Sequence, residues 1–474
     1  MYWGSLSEQQ INDLISLIDE VPKIDPSFER HTDILYDIQL SWFQCFAIEH
    51  ALISKGTYLS LGTGLGKTAT SIGLIQQVLK MNPGYKGMFL CLPSSVDQIL
   101  DDFYKHSDLR CISVTGESEQ INGLIRTPIQ SYDCIVISYK ALESLDLCNW
   151  IVSVKEFFKV GVLDEAHTIS QDSLVNNTCD ALCDIFEYKM FLSATPITVS
   201  PEQFITQMNM LDKEFIPDGV RILEPYVVRD PVTYEKVDYV NLNELANQFY
   251  GRYVSWTREE LGLKGNYKPR LYLVKPTPEQ MECKRKDIWR VLKGTPDSPQ
   301  VQVLQEIIKD KTRRGLRGLV YTWHLDLASI YKEKLDETGV IRSAIANGEP
   351  EFKRVRSHTL SQLRDGELDC IITNLTTSLN IPCDYIVFME NTNLAIQMIG
   401  RGERGFVPKD LELDYVLTED TEEINQFYDN VYKRCKWMGD MLSTDASVFI
   451  RFKNALVNRG VKFNWRLSVE FFMQ

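Results

Sequence analysis

Gly56-Thr-Tyr-Leu-Ser-Leu-Gly62-Thr63-Gly64-Leu65-Gly66-Lys67-Thr68 passes from a short apolar run into a glycine-rich turn, and a helix through Ile72, Leu74, Ile75 and Val78 follows. Strand, glycine turn, helix is the context a phosphate-binding loop needs. The glycines let backbone N–H groups turn toward an anion, Lys67 can reach terminal phosphate oxygens, and Thr68 offers a hydroxyl to a divalent cation. The strict pattern places a glycine six residues before the lysine, where this chain has Leu61. Gly62, Thr63, Gly64, Leu65, Gly66, Lys67 and Thr68 are the expected nucleotide-binding residues.

Working outward, the run 56–61 is the first of several buried-strand candidates, at 88–92, 134–138, 160–163 and 190–193. Each suits a strand covered on both faces, and each gap has room for a crossover helix, which predicts a parallel α/β sheet. The pattern returns at 318–322, 343–346, 370–373 and 385–389, giving a second α/β lobe. Residues 1–37 read as a helical extension, in which Ser7 caps a helix carrying Ile11, Leu14, Ile15 and Ile18, with Gln10 completing the cap. The expected domains are therefore this extension, a first lobe over 38–200, an insertion and linker over 201–300, a second lobe over 301–440, and a C-terminal extension over 441–474. The prolines Pro217, Pro225, Pro231, Pro269, Pro276, Pro278, Pro296 and Pro299 all fall in the linker.

Composition bounds the rest. The net charge of −14 excludes a protein that coats a polyanion by charge alone. Yet residues 251–317 hold 16 Lys+Arg against 8 Asp+Glu, and Lys284, Arg285, Lys286 and Arg290 cluster within two helical turns. Like charges this close repel unless a polyanion sits opposite, although a solvated helix face is the plainer reading. The eleven cysteines are scattered and form no C-x-x-C pair, so reduced thiols in an intracellular compartment are expected. The opening Met1-Tyr-Trp-Gly lacks the basic and apolar regions of a secretory signal, and no apolar stretch approaches membrane-spanning length.

Val160-Gly-Val-Leu163 runs into Asp164-Glu165-Ala166-His167, 97 residues beyond Lys67. A carboxylate at the end of a buried strand beside a phosphate loop is placed to hold a metal, and the next can orient an attacking water. Asp164, with Thr68, is the expected metal-side pair, and Glu165 the general base. Alone, the tetrapeptide also suits a charged helix cap.

These motifs, with those below in the same order over roughly residues 40–405, resemble the superfamily-two helicases. The resemblance implies an α/β chain of two RecA-like parallel-sheet lobes that uses ATP and Mg²⁺. Gln44 in Leu40-Ser-Trp-Phe-Gln44, 23 residues before Lys67, resembles the family's adenine-reading glutamine. Ser193-Ala194-Thr195-Pro196 resembles the motif that couples hydrolysis to lobe movement, and His167 is assigned to the same coupling set. Gln397-Met-Ile-Gly-Arg401-Gly-Glu-Arg404 resembles the closing motif that supplies an arginine finger, making Gln397, Arg401 and Arg404 catalytic candidates from the second lobe. Without that company, two arginines three apart would suit an ordinary surface helix.

The Gly64-Leu65-Gly66-Lys67-Thr68 form, Tyr253-Val-Ser-Trp-Thr-Arg258, 269–274 and Thr277-Pro-Glu-Gln280 resemble the Swi/Snf-like branch. The compact two-lobe plan is shared with phage branch-migration helicases. The chain departs from the family at Thr373-Asn374-Leu-Thr-Thr-Ser-Leu379-Asn380, which lacks the usual glycines and is one residue short, whereas Asn347-Gly348-Glu349, Arg354, Leu363 and Asp365-Gly366 keep the spacing. The resemblance implies nucleic-acid contacts at Pro93, Ser94, Ser138, Tyr139 and Thr373, to which the basic stretch adds Lys284, Arg285 and Lys286. For the first five an ordinary strand-end turn is an equal reading. Trp323, at the end of the first strand of lobe two, is expected to be buried.

The expected activity is that of a monomeric ATP-driven helicase or translocase on duplex or branched DNA. An RNA-directed ATPase or transcription-complex remodeller, and a non-hydrolysing nucleic-acid clamp, are the alternatives. Lys67, Glu165 and Arg404 together argue against the clamp, which needs no hydrolytic set.

Overall fold

A computed structural model describes residues 6–19, 40–169, 174–249, 251–263, 265–282, 293, 295, 298–346, 350–375, 383–392, 395–402, 409–442 and 447–459, except for some helical side chains. Two units emerge, one of residues 1–261 with 440–444, the other of 262–439 with 445–474. Each is built on a parallel sheet, so the chain carries two α/β lobes, as expected.

In the first unit β1 (Gly56–Leu61), β2 (Lys86–Cys91), β3 (Cys111–Val114), β4 (Cys134–Ser138), β5 (Phe158–Leu163), β6 (Tyr188–Leu192) and a later β9 (Tyr253–Trp256) form one sheet in the order β3-β4-β2-β5-β6-β1-β9. β1, β2 and β4 are buried along their whole length, which explains why they read as apolar runs rather than alternating ones. The edge strand β3 is half-exposed and carried no such signal. β7 (Val227–Arg229) and β8 (Lys236–Tyr239) make a separate antiparallel hairpin.

The helix Glu8–Asp19 starts with the Ser7–Gln10 box, in which Gln10 Oε1 accepts from the Ser7 amide at 3.0 Å. Its buried face is Leu14 and Leu17, while Ile15 is exposed, a rotation from the expected stripe. Gln10 Nε2 donates to the Ile53 carbonyl at 2.6 Å, and that bond to the neighbouring helix Trp42–Ser54 helps set the rotation.

The second unit is a sheet of β10 (Tyr267–Val274), β11 (Gly318–Tyr321), β12 (Ser343–Ile345), β13 (Cys370–Thr373), β14 (Tyr385–Phe388) and β15 (Leu411–Thr418), in the order β10-β15-β14-β11-β13-β12. Val320, Ile372, Val387 and Val416 pack with Leu304, Ile308 and Tyr331 from the helices Pro299–Arg313 and Leu325–Asp336 into one core. Segment 201–300 is thus partly structural, because it supplies β9 to one sheet and β10 to the other.

β15 is buried throughout although it holds two acids. Lys311, itself buried, sits 2.6 Å from Glu412 and 2.5 Å from Asp414, and Arg270 lies 3.2 Å from Glu412. Burial works against ionising Glu412, but the Arg314 and Lys311 hydrogen bonds hold its pKa down to about 2. Breaking such a buried set by removing one partner costs about 3–5 kcal/mol, because an uncompensated charge is left inside.

Trp323 is not buried. It is 54% exposed, since the strand ends at Tyr321 and the backbone turns outward there. The Trp323 amide donates to Glu390 at 2.6 Å, and the Thr322 hydroxyl lies 3.2 Å from the same carboxylate, which fixes that turn. Among the described residues no helix is long and apolar enough to cross a membrane.

Candidate active site

The phosphate loop leaves β1 at its C-terminal end, where ligands meet parallel sheets. Gly64 and Gly66 adopt φ of 77° and 79°, which Cβ-bearing residues rarely do, and the helix Lys67–Met81 begins at once. Its first amides therefore face the loop, adding the positive end of the helix dipole to Lys67. Lys67 Nζ donates to the Leu61 carbonyl at 3.0 Å, folding back along the loop.

Gln44 is held by sequence-local chemistry. Ser41 caps the helix Trp42–Ser54, and the Gln44 side chain accepts from the Ser41 amide at 2.8 Å. Its Nε2 donates to the Leu65 carbonyl at 3.0 Å and to Gly66 at 3.4 Å. The glutamine thus spans helix and phosphate loop. A Cβ on Gly66 would stand 2.2 Å from Gln44 Nε2, so this approach requires glycine. Trp42 and Phe46 pack on Trp256 with ring centroids 5.5 and 5.0 Å apart, locking the helix to β9.

The acidic motif leaves β5, two strands away in the sheet. The Asp164 amide donates to Leu90, and its carbonyl accepts from the Tyr139 hydroxyl at 2.7 Å. Glu165 is buried with φ of 48°, left-handed backbone that is unfavourable for a glutamate. The Thr168 hydroxyl donates to the Glu165 carbonyl at 2.9 Å and helps hold that conformation. Strain of this kind persists where the surroundings over-determine it, and functional sites are enriched in it.

His167 links the acidic motif to the end of β6. Its Nδ1 lies 2.9 Å from Ser193 Oγ and 3.3 Å from Glu165 Oε2. The Thr195 amide donates to Ser193 Oγ at 3.0 Å. Burial lowers the His167 pKa; the Glu165 carboxylate opposes this and the charge of Lys67 adds to it. The imidazole is therefore neutral at pH 7, one ring nitrogen donating and the other accepting.

Lys67, Asp164, Glu165, His167, Ser193, Ala194 and Thr195 thus share the C-terminal end of one sheet, at the ends of β1, β5 and β6. One group escaped the sequence reading, and another, Arg258, is singled out there only as part of the 253–258 motif. Gln203, on the helix Pro201–Leu211, donates through Nε2 to the His167 carbonyl. Arg258 packs at the loop, its Cγ 3.5 Å from where a Gly62 Cβ would sit, and the Gly62 amide donates to Trp256. Gln203 carries no local motif, and the strand pairing of β9 with β1 brings Arg258 to the loop.

The residues fit a nucleoside triphosphate with its magnesium. Glycine-favouring backbone, a helix N-terminus and a lysine would face the phosphates, and the Thr68 hydroxyl with the Asp164 carboxylate would provide the hard oxygen donors Mg²⁺ prefers.

Of the expected nucleic-acid contacts, Pro93 and Ser94 are exposed in the turn after β2. Ser138, Tyr139 and Thr373 are buried. Ser138 Oγ donates to Thr115 at 2.9 Å and accepts from the Ala141 amide, while Thr373 Oγ1 accepts from the Leu375 amide. These three side chains shape strand-end turns. Lys284, Arg285, Lys286 and Arg404 lie outside the described residues, as do the side chains of Gln397 and Arg401 on the helix Ala395–Gly402.

Residues 49–249 match the family model of the SNF2-related domain. No curated protein matches the chain. Among solved structures, the Sulfolobus solfataricus SWI2/SNF2 ATPase core in complex with dsDNA is similar at 15% identity and a TM-score of 0.40, covering 90% of this chain and 97% of that one.

Proposed function

We propose that the chain, whose residues 49–249 match the SNF2-related domain, is a DNA-dependent ATPase of the Swi/Snf-like superfamily-two type that translocates on duplex or branched DNA. The observation that carries this reading is the joining of phosphate loop, acidic motif and Ser193-Ala194-Thr195 at the C-terminal end of one sheet, with His167 bonded between the last two. A clamp that only binds nucleotide has no use for a buried glutamate in strained backbone beside that histidine.

Lys67 and the loop amides would bind the phosphates, and Gln44 would meet the base beside the loop it braces. Mg²⁺, held through Thr68 and Asp164, would neutralise charge on the phosphates. Glu165 would orient the attacking water and take its proton. Gln397, Arg401 and Arg404 of the second lobe would act on the charge that develops in the transition state, coupling turnover to lobe closure. Ser193 and His167 would pass the nucleotide state to Thr195 and onward to the DNA-bound surface.

The test is steady-state ATP hydrolysis with blunt duplex, forked duplex, single-stranded DNA and RNA. Stimulation by duplex or forked DNA above RNA is expected. Equal or greater stimulation by RNA would turn the reading to an RNA-directed ATPase, and no stimulation by any of them would end it.

A further inference from the structure

The β7–β8 hairpin presents an apolar, aromatic tip to solvent. Val232 is 82% exposed and Tyr234 73% exposed, and both lie between Arg229 and Lys236. The tip is held stiff. Asp230 Oδ1 accepts from the amides of Val232 and Thr233 at 2.7 and 2.9 Å, and the Tyr234 amide donates back to the Asp230 carbonyl at 2.9 Å. Tyr234 itself sits at φ of 58°, a conformation that costs a tyrosine free energy.

The hairpin root reaches the hydrolysis site. Lys236 pairs with Glu202 at the start of the helix Pro201–Leu211 and donates to Tyr239 Oη at 2.9 Å. The next residue, Gln203, donates to the His167 carbonyl, and His167 meets Glu165. Both cations at the hairpin base are already paired, Lys236 with Glu202 and Arg229 with Glu224 at 2.8 Å. The hairpin is therefore poorly suited to clamp phosphates. Its tip suits the apolar face of an unstacked base, where aromatic side chains stack irrespective of sequence and apolar wedges insert between steps.

We propose that the tip, through Tyr234 and Val232, is a base-stacking wedge that engages nucleotides at the junction of duplex and single-stranded DNA and signals their presence through Glu202 and Gln203 to His167. This rests on the DNA-dependent ATPase reading and narrows its substrate to branched DNA with exposed bases.

The test compares the full chain with Tyr234→Ala, Val232→Ser/Tyr234→Ala and Tyr234→Phe. Substrates are a blunt duplex and a forked duplex of the same sequence, the fork carrying a fluorophore and quencher at its branch. Wild type should open the fork and hydrolyse ATP faster on it than on blunt duplex. Loss of one stacked base weakens binding by roughly 5- to 150-fold, so the alanine variants should lose fork opening and fork preference by a factor in that range. Blunt-duplex stimulation should stay within about twofold and the salt dependence of binding should not change, because no phosphate contact is removed. Tyr234→Phe should behave as wild type. Fork opening by the double variant at the wild-type rate would overturn the wedge and leave the tip as a surface for a protein partner. Equal loss on both substrates, or a wild type that opens no fork, would overturn it too. A wild type unstimulated by any DNA would instead refute the ATPase reading itself.

Discussion

Replacing Gly66 by alanine perturbs the site at its tightest point. The residue sits at φ of 79°, and an added Cβ would fall 2.2 Å from Gln44 Nε2. Left-handed backbone costs a Cβ-bearing residue roughly 1–2 kcal/mol. Gln44 is the far end of a flexible side chain and can swing away, but only by giving up its bonds to Leu65 and Gly66 and loosening the one from Ser41. At about 0.5–1.5 kcal/mol per hydrogen bond, two lost bonds add about 1–3 kcal/mol. The expected destabilisation is therefore about 2–5 kcal/mol, which for a lobe of this size lowers its melting temperature by very roughly 4–20 °C. Thermal unfolding, with and without an adenine nucleotide, measures it. A second variant separates the two terms: Gln44→Ala in the Gly66→Ala background removes the crowding but keeps the backbone cost. The double variant should therefore lose less than the sum of the two single losses. A Gly66→Ala protein that melts with the wild type and binds nucleotide normally would refute the close approach of Gln44 to the loop.

Glu165→Gln should bind ATP but hydrolyse it about 10²–10⁴-fold more slowly; nucleotide binding by equilibrium titration and single-turnover hydrolysis measure both parts, and loss of binding would make Glu165 a structural residue. Arg404→Ala should lower DNA-stimulated kcat with KM nearly kept, as for a contact made in the transition state, and a large rise in KM at unchanged kcat would contradict the finger role. Acid should weaken the first lobe through His167. Its folded pKa lies below the ordinary 6.5, so the stability it contributes is complete above pH 6.5 and is lost as pH falls from there toward the folded value. Urea titrations between pH 5 and 7.5 should show that slope shrink in His167→Gln, and an unchanged slope would place the acid sensitivity elsewhere.

The fold was legible wherever strands are buried on both faces. β1, β2, β4, β5 and β6 read as apolar runs because helices cover both sides of the sheet. β15 did not, because Glu412 and Asp414 interrupt its apolar run; both acids are tolerated only through Lys311, Arg314 and Arg270, which come from elsewhere in the chain. The local backbone of the candidate site was legible too, since the glycines at positive φ and the carboxylates after β5 lie next to the strands that place them. Gln203 was not, because its bond to the His167 carbonyl is a tertiary contact that no local spacing encodes; Arg258 was legible as part of a motif, but its place at the loop follows only from the pairing of β9 with β1. Trp323 misled for a related reason. Hydrophobicity predicts burial on average, but Glu390 holds the backbone at the strand end so that the indole faces out.

The most direct measurement is phosphate release from ATP by wild type and by Lys67→Ala, each with and without duplex DNA. Lys67 stands at the head of its helix in the loop, half-exposed, so its loss should leave the fold intact by circular dichroism. The account predicts hydrolysis by the wild type that duplex DNA raises, and none above background in the variant under either condition. A folded Lys67→Ala protein that hydrolyses ATP near the wild-type rate, or a wild type indifferent to DNA, would contradict it.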